Sequence, residues 1–364
     1  MNKTPRTIAD LPTPSILVDL PRLESNLARM QETCNRRSTA LRPHIKTHKS
    51  VAIARRQLAG GAEGLTVAKI GEAESMLPSG VRRIFIAHSL VDPSVAPRLA
   101  ALADQLDELV LAVTSGAQAE ALEGVLASAG LTLPVWIAID SGLGREGLRS
   151  LESARHLASR LPALKHLRLT GLYTHEGQFY QTTPTERGAL LENLGNRLIA
   201  FRDAIDPSLP LWPGCSVTAS ALAGREGITG VRPGAYVFGD LALTESTGVM
   251  ETDQVALHVL STVIDRPEPG LALVDAGTKT LSSDKTGRGI MGRPVDGRDF
   301  VLSRANEEHG YVEGPDVDQL KIGERILWIP AHVCPVVNLT DQIVITEGDA
   351  VVDFWPVDAR GQVR

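Results

Sequence analysis

Short apolar runs and longer amphipathic segments alternate along the first two thirds of the chain. Eight runs rich in aliphatic and β-branched residues have the length of buried strands. They cover residues 41–46, 64–68, 83–88, 108–113, 135–140, 169–175, 211–217 and 228–233. Between them, segments such as VAIARRQLAGG and PSVAPRLAALADQ place apolar residues at helical spacing. The pattern predicts an α/β fold in which parallel strands alternate with helices.

Eight strand–helix units suit a closed (β/α)8 barrel of the TIM type. An open, doubly wound sheet is the alternative that strand counting leaves open, although no Gly-x-Gly-x-x-Gly run follows an early strand. After about residue 245 the helical pattern gives way to short strand-like runs separated by Gly, Pro and Asp. We therefore expect a barrel over 20–245, followed by an antiparallel β-rich domain formed by 1–19 and 246–364. The early strand TPSILVDL would join this second domain.

Composition and charge exclude several classes of function. The 364 residues are 43% hydrophobic and 22% charged, which is ordinary for a soluble globular protein. A net charge of −6 provides no basic surplus for nucleic acid or an acidic membrane, and no apolar run is long enough to span a bilayer. The N-terminus lacks the apolar core of a secretory signal, and three scattered cysteines form no disulfide framework. These features predict a cytoplasmic protein without nucleic-acid or membrane partners.

Polar residues follow the predicted strands where a parallel barrel places its functional groups, at the carboxyl ends of the strands. Lys46 ends the first run, Arg145 follows the fifth and Tyr173 ends the sixth. Small or hydroxyl-bearing residues follow the seventh and eighth runs: Ser216, Thr218, Ser220, Gly234 and Tyr236. This inventory suits a phosphorylated aldehyde cofactor, because a lysine can form a Schiff base with the aldehyde and exposed N–H groups can bind the phosphate.

Each of these residues also has an ordinary structural interpretation. A lysine at a strand end is commonly solvated, and Arg145 can pair with Glu146 or Asp140. Tyr173 can be a core residue, and the run VTASA can be the start of a helix. The cofactor interpretation therefore depends on the joint placement of these residues at consecutive strand ends.

A second candidate site lies in the run WIPAHVCPVVNLTD. His332 and Cys334 are two residues apart, and an extended strand would direct both side chains to the same face. Imidazole and thiolate together suit zinc, whereas a carboxylate in place of the cysteine would favour a harder metal. A half-buried histidine beside a small apolar cysteine is the structural alternative.

Six runs together resemble one family of enzymes. They are PHIKTHKS, TVAKIGEAE, DSGLGREG, GLYTHEGQFY, RPGAYVFGD and HVCPVVNL. In this order they are similar to the fold-type III pyridoxal-phosphate enzymes of the D-serine dehydratase/D-threonine aldolase family, from about residue 13 to 341. The resemblance implies an alanine-racemase-like barrel, a following β domain, pyridoxal 5'-phosphate as cofactor and a homodimer.

The resemblance implies a role for each matching residue. Lys46 would be the Schiff-base lysine, His44 would lie on the same strand face near the cofactor, and Arg145 would contact the pyridoxal ring oxygen. Further cofactor contacts would come from Tyr173, Tyr180, Thr218, Ala219, Ser220, Gly234 and Tyr236. The VTASA run begins with a residue bulkier than the glycine typical of relatives, so the hydrogen bonds of its loop stay open. His332 and Cys334 match the metal pair of the family, with zinc or manganese as the metal.

The His-x-Cys pair and the run YTHEGQFY (173–180) resemble the dehydratase branch of the family. The implied substrate is a D-3-hydroxy amino acid, such as D-serine, D-threonine or 3-hydroxy-D-aspartate, and the products are a 2-oxo acid and ammonia. Lys46 would take the α-proton, and the metal would make the β-hydroxyl a better leaving group. Aldolase-type cleavage to glycine and an aldehyde is the main alternative. An amino-acid racemase and a non-catalytic pyridoxal-phosphate-binding protein are two others.

Overall fold

The computed structural model describes residues 6–364, which divide into two compact units. The first, called the β unit below, comprises the described residues up to Leu27, Thr47–Ser50 and Ala235–Gly361. The second, called the α/β unit, comprises Ala28–Lys46, Val51–Gly234 and Gln362–Arg364.

The described residues form seventeen strands and ten α-helices. Strands β1 to β17 are Ser15–Asp19, Ala40–Leu41, Leu65–Val67, Arg83–Ser89, Glu108–Val113, Leu133–Ile139, Leu167–Thr174, Leu211–Trp212, Gly230–Val231, Leu257–Glu268, Leu271–Val274, Gly292–Pro294, Val301–Ala305, Gly310–Glu313, Arg325–Pro330, Gln342–Glu347 and Ala350–Pro356. Helices α1 to α10 are Leu20–Arg36, Val51–Ala59, Ile70–Met76, Ala96–Ala103, Gly116–Ser128, Leu151–Arg160, Pro184–Ile205, Ala219–Leu222, Thr278–Leu281 and Val333–Asn338. Within residues 6–364, no helix combines the length and the apolar character needed to cross a membrane.

Six strands of the α/β unit form one continuous parallel sheet in the order β3-β4-β5-β6-β7-β8. All seven residues of β6 are buried, as expected for a parallel strand that is covered on both faces. Each of the eight predicted runs overlaps one of the strands β2 to β9. The predicted alternation of parallel strands with helices is therefore confirmed.

The continuous sheet has six strands, not the eight of the predicted barrel. β2 and β9 form a separate two-stranded parallel sheet. Three prolines account for the shortness of β2, β8 and β9: Pro43, Pro213 and Pro233 follow these strands within two residues. Proline lacks the N–H group that a strand ladder requires. The α/β class is confirmed, whereas a full eight-stranded barrel is not.

Aromatic side chains from four strands of the parallel sheet pack into one cluster. Phe85, Trp136, Tyr173 and Trp212 belong to β4, β6, β7 and β8 in that order. The rings of Trp136 and Trp212 stack with 5.2 Å between their centroids, and Phe85 meets Tyr173 edge-on at 4.8 Å. The guanidinium of Arg232 lies 5.2 Å from the centroid of the Tyr173 ring. This packing fixes Tyr173 near the carboxyl end of β7.

Nine strands of the β unit form a second sheet in the order β11-β14-β13-β12-β15-β10-β1-β16-β17. β1 runs parallel to β16, and the other pairings of this sheet are antiparallel. In β1, Leu17 is paired with His258 of β10 on one side and with Val344 of β16 on the other. The predicted C-terminal antiparallel β domain is confirmed, and the early strand is part of its sheet.

Candidate active site

Lys46 lies in a single turn of 3-10 helix, Ile45–Thr47, and not on a strand as predicted. His44 forms an isolated parallel bridge with Thr66, and its Nδ1 accepts a hydrogen bond from the Lys46 N–H at 3.4 Å. Because Pro43 interrupts the strand, the two-residue period that would put both side chains on one face does not apply. The Lys46 side chain is half-buried, and no carboxylate lies within ion-pair distance of its ammonium among residues 6–364.

The imidazole of His175, directly after β7, is held in one orientation. Its Nδ1 lies 2.7 Å from the carbonyl oxygen of Gly214, so Nδ1 donates and Nε2 is left as an acceptor. Burial and the charge of Lys46 lower the pKa of His175 to about 3, which keeps the ring neutral near pH 7. Sequence analysis assigns no role to His175, because its partner lies 39 residues further along the chain.

A buried carboxylate fixes the loop that carries Gly214. Glu176 accepts hydrogen bonds from the Gly214 N–H at 3.2 Å and from the Thr218 hydroxyl at 3.0 Å. Burial raises the pKa of Glu176 to about 7, although the Arg232 guanidinium favours its ionised form. Gly214 therefore connects Glu176 to His175, because its N–H donates to the carboxylate and its C=O accepts from the imidazole.

The residues expected to bind phosphate lie where helix α8 begins. Thr218 precedes the helix, and its hydroxyl is committed to Glu176. Ala219 is buried, whereas Ser220 is exposed and its carbonyl accepts a hydrogen bond from Arg37 at 2.5 Å. The run VTASA is thus a helix start, as in the structural alternative.

Small and hydroxyl-bearing groups nevertheless meet beside this helix. The N–H of Gly234 donates to the Ser216 hydroxyl at 3.2 Å, which joins the loops after β8 and β9. Ser216 has no role in the residue-by-residue resemblance, although sequence analysis noted it at a strand end. In the β unit, Tyr236 is buried in the 3-10 helix Ala235–Val237.

A shallow depression, partly open to solvent, lies at the carboxyl ends of β6 and β7. Its lining residues are Ala138, Ile139, Asp140, Leu143, Arg145, Glu146, Tyr173, Thr174 and His175. The Tyr173 hydroxyl is buried and has no hydrogen-bond partner within the described part of the chain. Arg145 is exposed, and its guanidinium lies 3.9 Å from the Glu146 carboxylate. Tyr180 is half-buried in the nearby 3-10 helix Gly177–Gln181.

His332 and Cys334 lie at the start of helix α10, not along one face of a strand as predicted. Strand β15 ends at Pro330, so His332 occupies the N-cap position and Cys334 the first turn of the helix. Cys334 is nevertheless near enough to the imidazole to contribute to the raised pKa of His332. The Thr47 hydroxyl lies 3.3 Å from the Cys334 sulfur. The two predicted metal ligands therefore meet, although by a different backbone geometry.

Two carboxylates accompany this His–Cys pair. Nδ1 of His332 donates to Asp284 at 2.7 Å, and the buried Asp240 accepts from the Val333 N–H at 3.1 Å. Burial opposes the ionised ring, but Cys334, Asp240 and Asp284 together raise the pKa of His332 to about 10. In residues 6–364, no group of three or more His, Cys, Asp or Glu side chains has a metal-binding arrangement. An imidazole oriented by a carboxylate and paired with a thiolate still fits a metal that takes its other ligands from water or substrate.

Two family models match the chain in sequence order. The one described as alanine racemase, N-terminal domain, matches residues 18–242. The one described as putative serine dehydratase domain matches residues 256–346. D-threo-3-hydroxyaspartate dehydratase of Delftia sp. (strain HT23) is 35% identical over 96% of this chain and 98% of its own length.

Solved structures of relatives share the fold. D-threonine aldolase from Filomicrobium marinum superposes with a TM-score of 0.90 at 30% identity, covering 100% of both chains. A cysteine-to-alanine mutant of D-threo-3-hydroxyaspartate dehydratase, in the metal-free form, superposes with a TM-score of 0.86 at 32% identity, covering 97% of this chain and 99% of that one. The fold, the two family matches and these identities agree. The chain belongs to the D-serine dehydratase/D-threonine aldolase family of fold-type III pyridoxal-phosphate enzymes, and it is a pyridoxal-phosphate-dependent lyase.

Proposed function

We propose that this lyase uses pyridoxal 5'-phosphate and a divalent metal to dehydrate D-3-hydroxy amino acids to a 2-oxo acid and ammonia. The observation that carries the proposal is the placement of the His332 imidazole, held by Asp284 at 2.7 Å, two residues before Cys334 at the start of helix α10. This donor set suits zinc, a Lewis acid that can polarise a hydroxyl leaving group. The dehydratase among the relatives supports the same reaction type.

The residues of the α/β unit fit the cofactor. Lys46 presents an ammonium without a carboxylate partner in the described chain, and Tyr173 presents a buried hydroxyl without a hydrogen-bond partner there. We assign the covalent anchor to Lys46, with His44 beside it, and the ring oxygen contact to Arg145. We assign further cofactor contacts to Tyr173, Tyr180, Thr218, Ala219, Ser220, Gly234 and Tyr236. Pyridoxal phosphate, when bound, supplies an electron sink for the charge that develops at the substrate α-carbon.

Lys46 is our candidate base, and His175 is suited to assist it by hydrogen bonding. The amine of Lys46 would remove the α-proton. Nδ1 of His175 is occupied by Gly214, and its Nε2 is an acceptor. A pKa of about 3 makes His175 a weak base, so we assign it a hydrogen bond to a donor in the site and not proton removal.

His332 and Cys334 would hold the metal. The carboxylate of Asp284 on Nδ1 of His332 leaves Nε2 for coordination and restricts the rotation of the ring. A bound metal supplies Lewis acidity toward an oxygen ligand. We propose zinc because the sulfur ligand favours it over manganese.

Product analysis with D-serine tests the proposed function. We expect holoenzyme loaded with both cofactors to form pyruvate and ammonia in equal amounts. Lys46→Ala and complete removal of the metal should each abolish this activity. Full activity of Lys46→Ala would contradict the covalent role, and pyruvate formation that survives metal removal would contradict the role of the metal. Conversion of D-serine to L-serine after metal removal would favour a racemase-type enzyme. Aldol cleavage is the second candidate function, supported by the close match to a D-threonine aldolase structure.

We also propose that the two parallel sheets of the α/β unit close into one eight-stranded barrel. Two backbone hydrogen bonds support this: the Glu63 N–H donates to Leu41 O at 3.0 Å, and the Arg232 N–H donates to Pro213 O at 3.0 Å. The division into domains at 19/20 and 245/246 and the homodimer are further proposals. Light scattering tests the latter, because a homodimer has twice the mass of the chain.

A further inference from the structure

Lys69, at the carboxyl end of β3, is a cation that has no carboxylate partner in the described part of the chain. It is half-buried and lies between β3 and helix α3. Its ammonium donates to Nε2 of His88 at 2.9 Å, and no Asp or Glu of residues 6–364 lies within ion-pair distance of it. An ammonium has three donors, so this single acceptor leaves Lys69 able to bind an anion.

Charged groups of both signs lie around Lys69 and His88. Burial and the charge of Lys69 lower the pKa of His88, so its ring is a neutral acceptor near pH 7. The other charged groups that act on His88 are Glu146 and Arg145. Glu146 accepts a hydrogen bond from the Ser89 hydroxyl at 3.2 Å and lies 3.9 Å from Arg145. Neither Glu146 nor Glu72, which accepts from the Ala68 N–H at 2.6 Å, forms an ion pair with Lys69 within residues 6–364.

Lys69 and Lys46 end neighbouring parallel segments. The bridge between His44 and Thr66 sets their register, and Lys46 follows His44 by two residues while Lys69 follows Thr66 by three. The carboxyl ends of adjacent parallel strands meet at one edge of a sheet. The charge of Arg145 lowers the pKa of both His88, beside Lys69, and His175.

We propose that Lys69, held by His88, binds a second carboxylate on the β-carbon of the substrate, which makes the enzyme selective for acidic D-3-hydroxy amino acids. The proposal rests on the proposed function. Arg145 is already assigned to the cofactor ring, so Lys69 is the cation of this cluster that has no other role. An ammonium–carboxylate hydrogen bond is charge-assisted and stronger than a neutral one.

Steady-state kinetics on holoenzyme test the proposal. The wild type should have a higher kcat/KM for D-threo-3-hydroxyaspartate than for D-serine. Lys69→Met should lower kcat/KM for the acidic substrate by about 10- to 100-fold, the range for loss of a hydrogen bond between charged groups. The value for D-serine should change by less than about threefold. Lys69→Arg should retain part of the preference, and Lys165→Met, at an exposed lysine, should leave both values unchanged.

An equal loss for both substrates would overturn the proposal, because Lys69 would then serve the α-carboxylate or the fold. An unchanged preference in Lys69→Met, or a wild type without preference, would overturn it as well. A binding measurement distinguishes a wrong role for Lys69 from a wrong proposed function. D-aspartate and D-alanine both lack the β-hydroxyl, so calorimetry reports binding even where no 2-oxo acid forms. Lys69→Met should weaken binding of D-aspartate alone, and an equal effect on D-alanine would contradict the proposal.

Discussion

Nδ1 of His175 lies 2.7 Å from the carbonyl oxygen of Gly214, and this contact fixes the tautomer of a neutral imidazole. The N–H of the same glycine is bound by the buried Glu176, which also holds the Thr218 hydroxyl. These hydrogen bonds leave Nε2 of His175 as an acceptor. His175 lines the same depression as Tyr173 and Arg145.

Replacing His175 tests whether that acceptor takes part in the reaction. The amide of His175→Asn can still donate to Gly214, but it offers no acceptor at the position of Nε2. We expect kcat to fall by about 10-fold, the size expected for loss of one hydrogen bond, with little change in thermal stability. His166→Asn is the matched control, since Nδ1 of His166 donates to the Leu131 carbonyl in the same way. Near-normal kcat in His175→Asn would remove His175 from the chemistry.

Glu176 should make stability depend on pH. Its pKa rises from 4.5 to about 7 on folding, so between these values the folded chain binds a proton that the unfolded chain does not. The stability that this proton contributes is present below pH 4.5 and is lost as the pH rises to 7. Relative to wild type, Glu176→Gln should gain up to about 3 kcal/mol in the free energy of unfolding across this interval. Urea unfolding of apoprotein at several pH values measures the difference, and a constant difference would show that Glu176 is ionised throughout.

The Tyr173 hydroxyl should contribute to the affinity for the cofactor and not to the stability of the fold. Its buried hydroxyl has no hydrogen-bond partner within the described chain, and such a group costs about 1–3 kcal/mol. We expect Tyr173→Phe to leave the thermal midpoint of the apoprotein unchanged or raised, and to weaken binding of pyridoxal phosphate. Unfolding scans with and without the cofactor report both effects. A destabilised apoprotein with normal cofactor affinity would assign Tyr173 to the core alone.

Asp284 should strengthen metal binding through its hydrogen bond to His332. Because its carboxylate accepts from Nδ1 of His332, Asp284→Asn should weaken metal binding by about 10- to 100-fold. Competition with a coloured chelator measures this affinity without turnover. Asp349→Asn, at an exposed position, is the matched control. Equal metal affinity in the two variants would show that Asp284 does not orient the ligand.

Periodicity and strand-end placement predict much of the fold, because burial on both faces leaves a direct pattern in the sequence. The aliphatic run of β6 is an example, with every residue buried. Strand length is predicted less well, since Pro43 and Pro213 end the ladders of β2 and β8 early. For the same reason Lys46 lies in a 3-10 turn, although its position after the first strand is as expected.

The hydrogen bonds that support the candidate site cannot be predicted from sequence patterns, because the residues that they join are distant in the chain. Glu176 contacts Thr218 42 residues later, and Lys69 contacts His88 19 residues later. The strand geometry predicted for His332 and Cys334 was wrong, because both residues lie at the start of a helix. Local pattern thus indicates which residue types meet at a strand end, and tertiary packing decides which hydrogen bonds they form.

The products formed from D-threonine by the zinc-loaded holoenzyme test the central claim most directly. Elimination and cleavage begin from the same substrate and differ in the bond that breaks. The account predicts 2-oxobutanoate and ammonia in equal amounts, with no product from Lys46→Ala. Glycine and acetaldehyde in their place would contradict it.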